Sequence, residues 1–219
     1  MRRAGGNGNA GAASQLRMLR HGPSSEARAD ADLFFRMHVL QIAHTDAMLI
    51  RALSSDDAAA FQSLRLRGLL EYPEAFSSSH AEEAGIPIQL VAERLQPDPN
   101  GAVFGCFGDA QLTGVIGIRR AGQLKLSHKA FIWGMYVAPE HRRVGTGRLL
   151  LSRVLNYAAA DLRVRNLNLG VNASNVAACT LYAAMGFRIY GTEPGSMMVD
   201  GILHDEHLMT RQVVLDDIV

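Results

Sequence analysis

The sequence predicts a mixed α/β domain with the element order β-α-α-β-β-β-α-β-α-β-β. Stretches with strand-like alternation, such as residues 102–107 and 111–119 around a turn at 108–110, are mixed with stretches of helical period, such as residues 146–160. The 219 residues suit one domain of ordinary size with a sizeable core. We therefore expect one α/β domain over residues 46–219.

Residues 1–45 differ from the rest of the chain in composition. Gly, Asn, Ala, Ser and Arg dominate the first 30 residues without sustained periodicity, which is typical of poorly structured segments. Residues 33–42 are expected to form a short helix. One alternative is an organellar transit peptide, although the acidic residues of the segment argue against it. Another is that translation begins later, at Met37 or Met48. We interpret the segment as a non-catalytic extension.

Charge and cysteine content narrow the function classes. The formal net charge is +1, which gives no general reason to expect nucleic acid or a membrane as a partner. No run approaches the ~18 apolar residues of a membrane span. Cys106 and Cys179 stand alone in the sequence, and we expect reduced thiols in a cytoplasmic protein.

The N-terminal part of the domain is predicted to hold a strand and two helices. The strand is Met48–Leu53, and Ser54 or Ser55 caps the first helix, which carries acidic residues in its first turn. Residues 72–73 end that helix because proline restrains its predecessor. Pro87 opens the second helix, since its missing N–H is not needed there.

The hairpin is followed by a strand, a break and a helix. The strand, residues 128–137, is dense in aromatic and β-branched residues. Pro139 interrupts it because proline cannot donate to a strand ladder. The helix covers residues 146–160, and its apolar residues are predicted to share one buried side. They are Leu149, Leu150, Val154, Leu155 and Ala158.

The C-terminal part is predicted to contain a strand, a helix and two closing strands. The strand is indicated by residues 162–164 and 167–171. Asn residues within 172–175 can cap the helix, and Gly186 is placed to end it. Residues 187–192 and 204–214 are predicted to be the closing strands.

The loop between the central strand and helix has the features of an anion site. Glycines at Gly145 and Gly147 allow close approach of a ligand to the backbone, and the first turn of the helix offers unpaired N–H groups. Three arginines add positive charge. The loop therefore predicts a phosphate cradle. The lysine of a P-loop and the third glycine of a dinucleotide-binding fingerprint are both missing.

Two motifs identify a family. Residues 142–147, Arg-Arg-Val-Gly-Thr-Gly, resemble the acetyl-CoA-binding motif of the GNAT N-acetyltransferase superfamily. Residues 175–187, from Asn175 to Phe187, match the N-x-x-A-x-x-L-Y-x-x-x-G-F segment of the same enzymes at every fixed position. The resemblance covers about residues 48–214. It implies the GNAT fold, with a mixed and mostly antiparallel central sheet flanked by helices.

The resemblance also implies acetyl-CoA as cosubstrate and a set of residues that bind it. Backbone N–H groups near Met135–Val137 would polarise the thioester carbonyl. The implied cofactor-binding residues are Tyr136, Val137, Arg142, Arg143, Val144, Gly145, Thr146, Gly147, Arg148 and Asn175.

Tyr182 is the predicted catalytic residue. Tyr182 and Asn175 are seven residues apart and share a helix face, and the resemblance implies that this tyrosine is the general acid. A phenol pKa near 10 and a thiol pKa near 8.5 make proton transfer to a leaving thiolate feasible. A core aromatic at helical spacing is the alternative.

The general base is unassigned. Family members often carry a base on the strand before the cradle, but the matching positions here are Phe131 and Trp133. The alternatives are a water chain or one of four side chains elsewhere. The four are Glu71, Glu74, His80 and His128. The predicted acceptor-site residues are Glu71, Glu74, Phe76 and Trp133.

The predicted function is transfer of an acetyl group from acetyl-CoA to a primary amine, with a small-molecule acceptor preferred. The alternatives are a non-catalytic acyl-CoA-binding sensor and a protein N-terminal or lysine acetyltransferase. A homodimer is open, because dimers are common in the family. His204 and His207 are three apart on a predicted strand and would face opposite sides, so we expect no metal there.

Overall fold

The structure is a computed structural model and describes residues 48–213. The predicted extension over residues 1–45 and the last six residues of the chain lie outside this range. Within it, the predicted strands and helices are present in the predicted order, with one further short helix.

Seven strands of the described chain form one sheet. Their order is β1-β2-β3-β4-β5-β7-β6, and every neighbouring pair is antiparallel except β4 and β5. This confirms the predicted mixed, mostly antiparallel sheet. The strands are β1 Leu49–Ala52, β2 Gly101–Gly108, β3 Gln111–Arg120, β4 Lys129–Val137, β5 Asn166–Asn172, β6 Arg188–Val199 and β7 Ile202–Gln212.

Five α-helices of the described chain flank the sheet. The unpredicted one, α2, has a single turn and is capped by reciprocal bonds between Ser79 and Glu82. A segment this short carries no readable helical period, which is why the sequence pattern did not indicate it. The helices are α1 Ala58–Glu71, α2 His80–Ala84, α3 Ile88–Arg94, α4 Thr146–Ala160 and α5 Val176–Ala184.

The sheet separates two apolar clusters. One packs α4 on the sheet, and the other packs α1 and α3 on it. Neighbouring residues of β3 belong to different clusters, Val115 to the α1 cluster and Ile116 to the α4 cluster. This is the alternation expected of a strand that is buried on both faces.

The buried side of α4 differs from the prediction at one position. Leu149 is 41% exposed, whereas Leu151 is fully buried together with Leu150 and Val154. Leu155 is only partly buried against the cluster. The prediction for Leu149 was wrong because two apolar neighbours at adjacent positions leave the direction of the buried stripe undetermined until the sheet is present.

The closing hairpin is longer than predicted. β6 continues past Thr192 to Val199, through Pro194 and through register shifts against β7 at Ile189/Gly191 and Glu193/Met197. Proline is tolerated there because β6 is an edge strand.

Two irregularities of β4 prepare the site. β4 and β5 pair only from Lys129 to Phe131, so the rest of β4 has no partner on its β5 side. On its β3 side the register shifts by one extra residue at Gly134 and Met135, and Gly134 has a left-handed φ of 62°. Such a bulge leaves its extra residue outside the ladder and turns backbone groups away from it.

The Asp57→Asn variant is expected to lower the free energy of unfolding at pH 7 by about 1 kcal/mol. The Asp57 carboxylate accepts two bonds from Arg51 and one from the Ser54 amide, and these partners, the Arg51 bond foremost, lower its pKa to about 2. Solvent screens the pair because the Arg51 side chain is 42% exposed. A depressed folded pKa stabilises above the unfolded value and is lost as pH falls towards 2. Urea titrations at several pH values should therefore show the difference from wild type shrink between pH 4 and pH 2.

Candidate active site

A cavity of about 630 Å³ lies where β4, α4 and α5 meet. We call it the α4 cavity. It is lined by the end of β4, by residues 142–143 and 145–148, by the start and middle of α5, and by Tyr72, Ala75 and Phe76. Apart from Val144, which is 62% exposed, every residue that the sequence predicts for the cofactor lines it, and so does Tyr182.

The loop before α4 presents a row of backbone amides. α4 begins after Gly145, which has a left-handed φ of 95°. The first helical hydrogen bond is donated by Leu149 to the Gly145 carbonyl. The amides of residues 143–148 donate no hydrogen bond to any group in the described part of the chain. Unpaired amides at a helix N-terminus are the groups that bind a phosphate, so this loop fits the diphosphate of coenzyme A.

Side chains of the loop lock its shape. The Thr146 hydroxyl is buried and donates to the His141 carbonyl at 2.9 Å, so Thr146 offers the cavity only its backbone. A Cβ on Gly147 would lie 3.0 Å from Leu181 and 3.2 Å from Met135. Gly147 therefore allows α4 to pack closely against both α5 and β4.

Arg142 joins the loop to two other elements. Its Nε donates to the Val137 carbonyl at 2.8 Å, and its Nη1 donates to the Tyr72 hydroxyl at 2.7 Å. The guanidinium also lies over the Tyr72 and Tyr136 rings. The side chains of Arg143 and Arg148, in contrast, are exposed. Arg142 thus holds the end of β4 in place, while the other two arginines supply charge at the rim.

Tyr182 points its hydroxyl at the bulge of β4. The hydroxyl lies 3.5 Å from the Met135 sulfur, and the ring packs edge-on against Phe187. Only 7% of Tyr182 is exposed. Burial raises the pKa of the phenol above its usual 10.0, and the nearby Cys179 adds to the shift. The phenol is therefore protonated at neutral pH, although full transfer of its proton to a thiolate is more costly than the usual pKa implies.

Asn175 caps α5 with the oxygen of its side-chain amide. Its Oδ1 accepts from the Ala178 amide at 3.0 Å. Its Nδ2 has no partner among the described residues, and the residue lines the α4 cavity. The capping bond orients the amide so that Nδ2 is left for a ligand carbonyl or hydroxyl.

A second cavity, of about 610 Å³, adjoins the first at Ala75 and Phe76. We call it the Trp133 cavity. It lies over the gap between β4 and β5, and Gly134 of the bulge lines it while Met135 lines the α4 cavity. The Trp133 indole covers Gly117 of the neighbouring strand, where a Cβ would overlap it. The two cavities thus meet at the bulge.

The predicted acceptor-site residues divide into two pairs. Phe76 and Trp133 line the Trp133 cavity, whereas Glu71 and Glu74 line neither cavity. Glu71 accepts from the Tyr136 hydroxyl at 2.6 Å and from Arg67 at 2.8 Å. The backbone carbonyl of Glu74 accepts from the buried Asn172 side chain, which ties this loop to the end of β5.

The candidate bases His80 and His128 do not line either cavity. The carboxylates that line the Trp133 cavity are Glu83 and Glu206. No motif or spacing in the sequence indicates a role for either carboxylate or for their neighbour Arg65. Glu206 lies within the 204–207 run that was considered only for metal binding, so its local context gave no signal for an acceptor site.

No group of three or more His, Cys, Asp or Glu side chains between residues 48 and 213 is arranged to hold a metal ion. None of the helices in that range is long and apolar enough to cross a membrane. Cys106 and Cys179 are both free thiols.

Residues 67–187 match the family model described as Acetyltransferase (GNAT) family. A curated relative, the acetyltransferase PseH of Campylobacter jejuni, is 30% identical over 98 residues. That match covers 45% of this chain and 58% of PseH, so the chain spans little more than half of that relative.

Solved structures share the fold. An acetyltransferase of the GNAT family from Streptococcus pneumoniae superposes with a TM-score of 0.71 at 23% identity, over 76% of this chain and 99% of that one. The yncA protein of Salmonella typhimurium, solved with its cofactor acetyl-CoA, has a TM-score of 0.61 at 21% identity, over 78% and 95% of the two chains. At these identities the likeness shows the fold alone.

Proposed function

Because the chain belongs to the acetyltransferase (GNAT) family, we propose that it transfers an acetyl group from acetyl-CoA to the primary amine of a small molecule. The observation that carries the proposal is the junction of the two cavities at the β4 bulge. There the buried Tyr182 hydroxyl and the bulged backbone of Gly134 and Met135 lie together.

The α4 cavity supports binding of the cosubstrate. The six amides of residues 143–148, which donate to no group between residues 48 and 213, suit a diphosphate. The edge of β4 from Ile132 to Val137, which has no β5 partner, offers backbone groups to an extended amide chain such as pantetheine. Acetyl-CoA supplies the thioester whose acetyl group is transferred.

The reaction that these residues would serve is direct attack. The amine nitrogen forms a bond to the thioester carbonyl carbon, and the carbon–sulfur bond breaks. Backbone N–H groups of β4 near the bulge, from Met135 to Val137, would stabilise the oxyanion. Tyr182 donates its proton, or a hydrogen bond, to the leaving sulfur. The amine's own proton passes to a carboxylate of the Trp133 cavity or to water.

The Trp133 cavity supports a small acceptor. Its volume of about 610 Å³ falls within the ~300–1,000 Å³ usual for small-molecule sites. Its walls include Phe61, Phe76, Phe131 and Trp133. A protein N-terminus or a lysine side chain would instead need an open groove that continues beyond the cavity.

The proposal is tested by thiol release from acetyl-CoA with the purified full-length protein and a library of amines. Release above the rate without amine, for a defined subset of amines, supports it. Tight binding of acetyl-CoA in a calorimeter, with no release for any amine, would show a cofactor sensor instead. Equal or faster release with peptides would point to a protein acceptor.

A further inference from the structure

The Trp133 cavity contains a buried arginine with a free nitrogen. Arg65 of α1 is 8% exposed. Its Nε and Nη2 donate to the Glu83 carboxylate at 3.1 and 2.8 Å, and its guanidinium lies 4.6 Å from the centre of the Phe76 ring. Its Nη1 has no hydrogen-bond partner in the described chain. Leaving a buried charged donor unpaired is costly, so a ligand group that accepts a hydrogen bond from Nη1 would be bound favourably.

The free nitrogen lies at the reaction end of the cavity. Nη1 is 3.8 Å from the position that a Cβ on Gly134 would occupy, and Gly134 belongs to the β4 bulge. The other two nitrogens are fixed by Glu83, so the guanidinium cannot turn to satisfy Nη1 without breaking that pair. The direction of Nη1 is therefore set by the fold.

A carboxylate lines the same cavity from the other side of the gap. Glu206 of β7 lies against Gly170 of β5, where a Cβ would overlap its carboxylate. Its nearest polar contact is the Ser196 hydroxyl at 3.5 Å. No Lys, Arg or His among the described residues forms an ion pair with it. Glu83 is already neutralised by Arg65, so Glu206 is the carboxylate left to attract a cation.

The two groups lie next to glycines on opposite sides of the gap between β4 and β5. Pairing of these strands stops at Phe131 and Asn168. Gly134 is three residues further along β4, and Gly170 is two residues further along β5. At about 3.3 Å per residue, the two glycines lie at similar distances beyond the point where the strands separate. The aromatic rings of Phe76 and Trp133 line the cavity with them.

We propose that the acceptor is an amino acid, or a compound with the same pair of groups, whose carboxylate binds Nη1 of Arg65 and whose ammonium group binds Glu206. The inference rests on the proposed acetyl transfer and specifies its substrate class. A hydrogen bond from a guanidinium to a carboxylate is charge-assisted and about twice as strong as one between neutral groups. An amine without a carboxylate leaves Nη1 unpaired, which is the situation in which sites discriminate best. The aromatic lining favours an apolar or aromatic side chain on the acceptor.

The test compares matched acceptors by thiol release from acetyl-CoA. The probes are apolar and aromatic L-amino acids, each with its primary amide and its decarboxylated amine. The amides are the more easily deprotonated amines, so a preference for the free acids cannot come from basicity. In the wild-type protein we expect kcat/KM for the best acid to exceed that of its amide by about 10- to 100-fold.

Variants assign the preference to Arg65. In Arg65→Met the ratio of acid to amide should fall to near one while amides are still acetylated, and Arg65→Lys should keep part of it. Glu83→Gln is the companion variant, because it removes the charge that fixes Nε and Nη2 but leaves the guanidinium, so it should lower the ratio less than Arg65→Met does. Glu206→Gln should lower kcat/KM for acids and amides alike.

The outcomes separate this inference from the proposed function. If amines are acetylated but the wild-type protein takes amides as readily as acids, the inference is overturned and the acetyl transfer stands. If the ratio survives in Arg65→Met, Arg65 is only a structural ion pair and the inference is also overturned. Should no amine of any class be acetylated, the proposed function fails and the inference fails with it. The wild-type ratio decides even if a variant does not fold.

Discussion

The Tyr182→Phe variant is expected to bind acetyl-CoA as tightly as the wild type and to lose about 10²–10⁴-fold in kcat. The substitution removes one hydroxyl, which lies 3.5 Å from Met135 at the junction of the cavities. It leaves the ring that packs against Phe187. The measurement is kcat by thiol release at saturating acetyl-CoA, together with calorimetric binding of coenzyme A.

The pH dependence of kcat gives a second test of the role of Tyr182. Burial raises the pKa of Tyr182 above 10.0, and the reaction needs the protonated phenol. Any loss of kcat due to ionisation of Tyr182 should therefore begin only above pH 10. A fall in kcat between pH 7 and 9 that disappears in Tyr182→Phe would contradict this assignment.

Tyr157→Phe is the matched control for loss of a phenol. Tyr157 is a partly buried tyrosine of α4 whose hydroxyl donates to the Gly101 carbonyl at 3.4 Å, and it lines neither cavity. We expect a small loss of stability and an unchanged kcat. If Tyr182→Phe keeps kcat within about threefold of wild type, Tyr182 is a core aromatic and another group protonates the thiolate.

The Gly145→Val variant should weaken binding of acetyl-CoA by about 100-fold or more, because the loop would lose the conformation that aligns its amides. Gly145 has a φ of 95°, which a β-branched residue resists at a cost of at least about 1–2 kcal/mol. A Cβ there meets no atom within 4 Å. The effect thus comes from the backbone and from the ligand's space rather than from the core.

Gly201→Val is the control for backbone strain. Gly201, in the turn between β6 and β7, has a φ of 79° and equally open surroundings, but it lines neither cavity. It should lose similar stability and keep its affinity. Equal affinities of Gly145→Val and Gly201→Val would show that the loop does not bind the cosubstrate.

The Arg143→Ala variant should lower the affinity for acetyl-CoA by less than about fivefold, because an exposed charge contributes at most about 1 kcal/mol.

Elements whose structure depends on nearby residues could be predicted from the sequence. The predicted helix at residues 146–160 has the observed bounds, because Gly145 before it and the apolar period within it act over a few residues. The loop and α5 belong to motifs of the same kind. The family could therefore be recognised from these two motifs, and the resemblance implied nine of the residues that line the α4 cavity.

Other features needed partners that are distant in sequence. The direction of the buried stripe of α4 depended on the sheet beneath it, which is why Leu149 was misassigned. β6 continues through Pro194 only because it lies at the edge of the sheet. The bulge at Gly134 had a signal, a glycine inside a strand pattern, but its register is set by β3.

The sequence by itself determined the order of elements, the glycine-containing loop before α4 and the family, because each depends on a short run of residues whose backbone and side chains act locally. Only the tertiary structure decided which charges line the second cavity. Arg65, Glu83 and Glu206 come from three separate elements, and their meeting depends on how far β4 and β5 separate. Electrostatic complementarity between such groups is a property of packing, so no spacing in the chain encodes it.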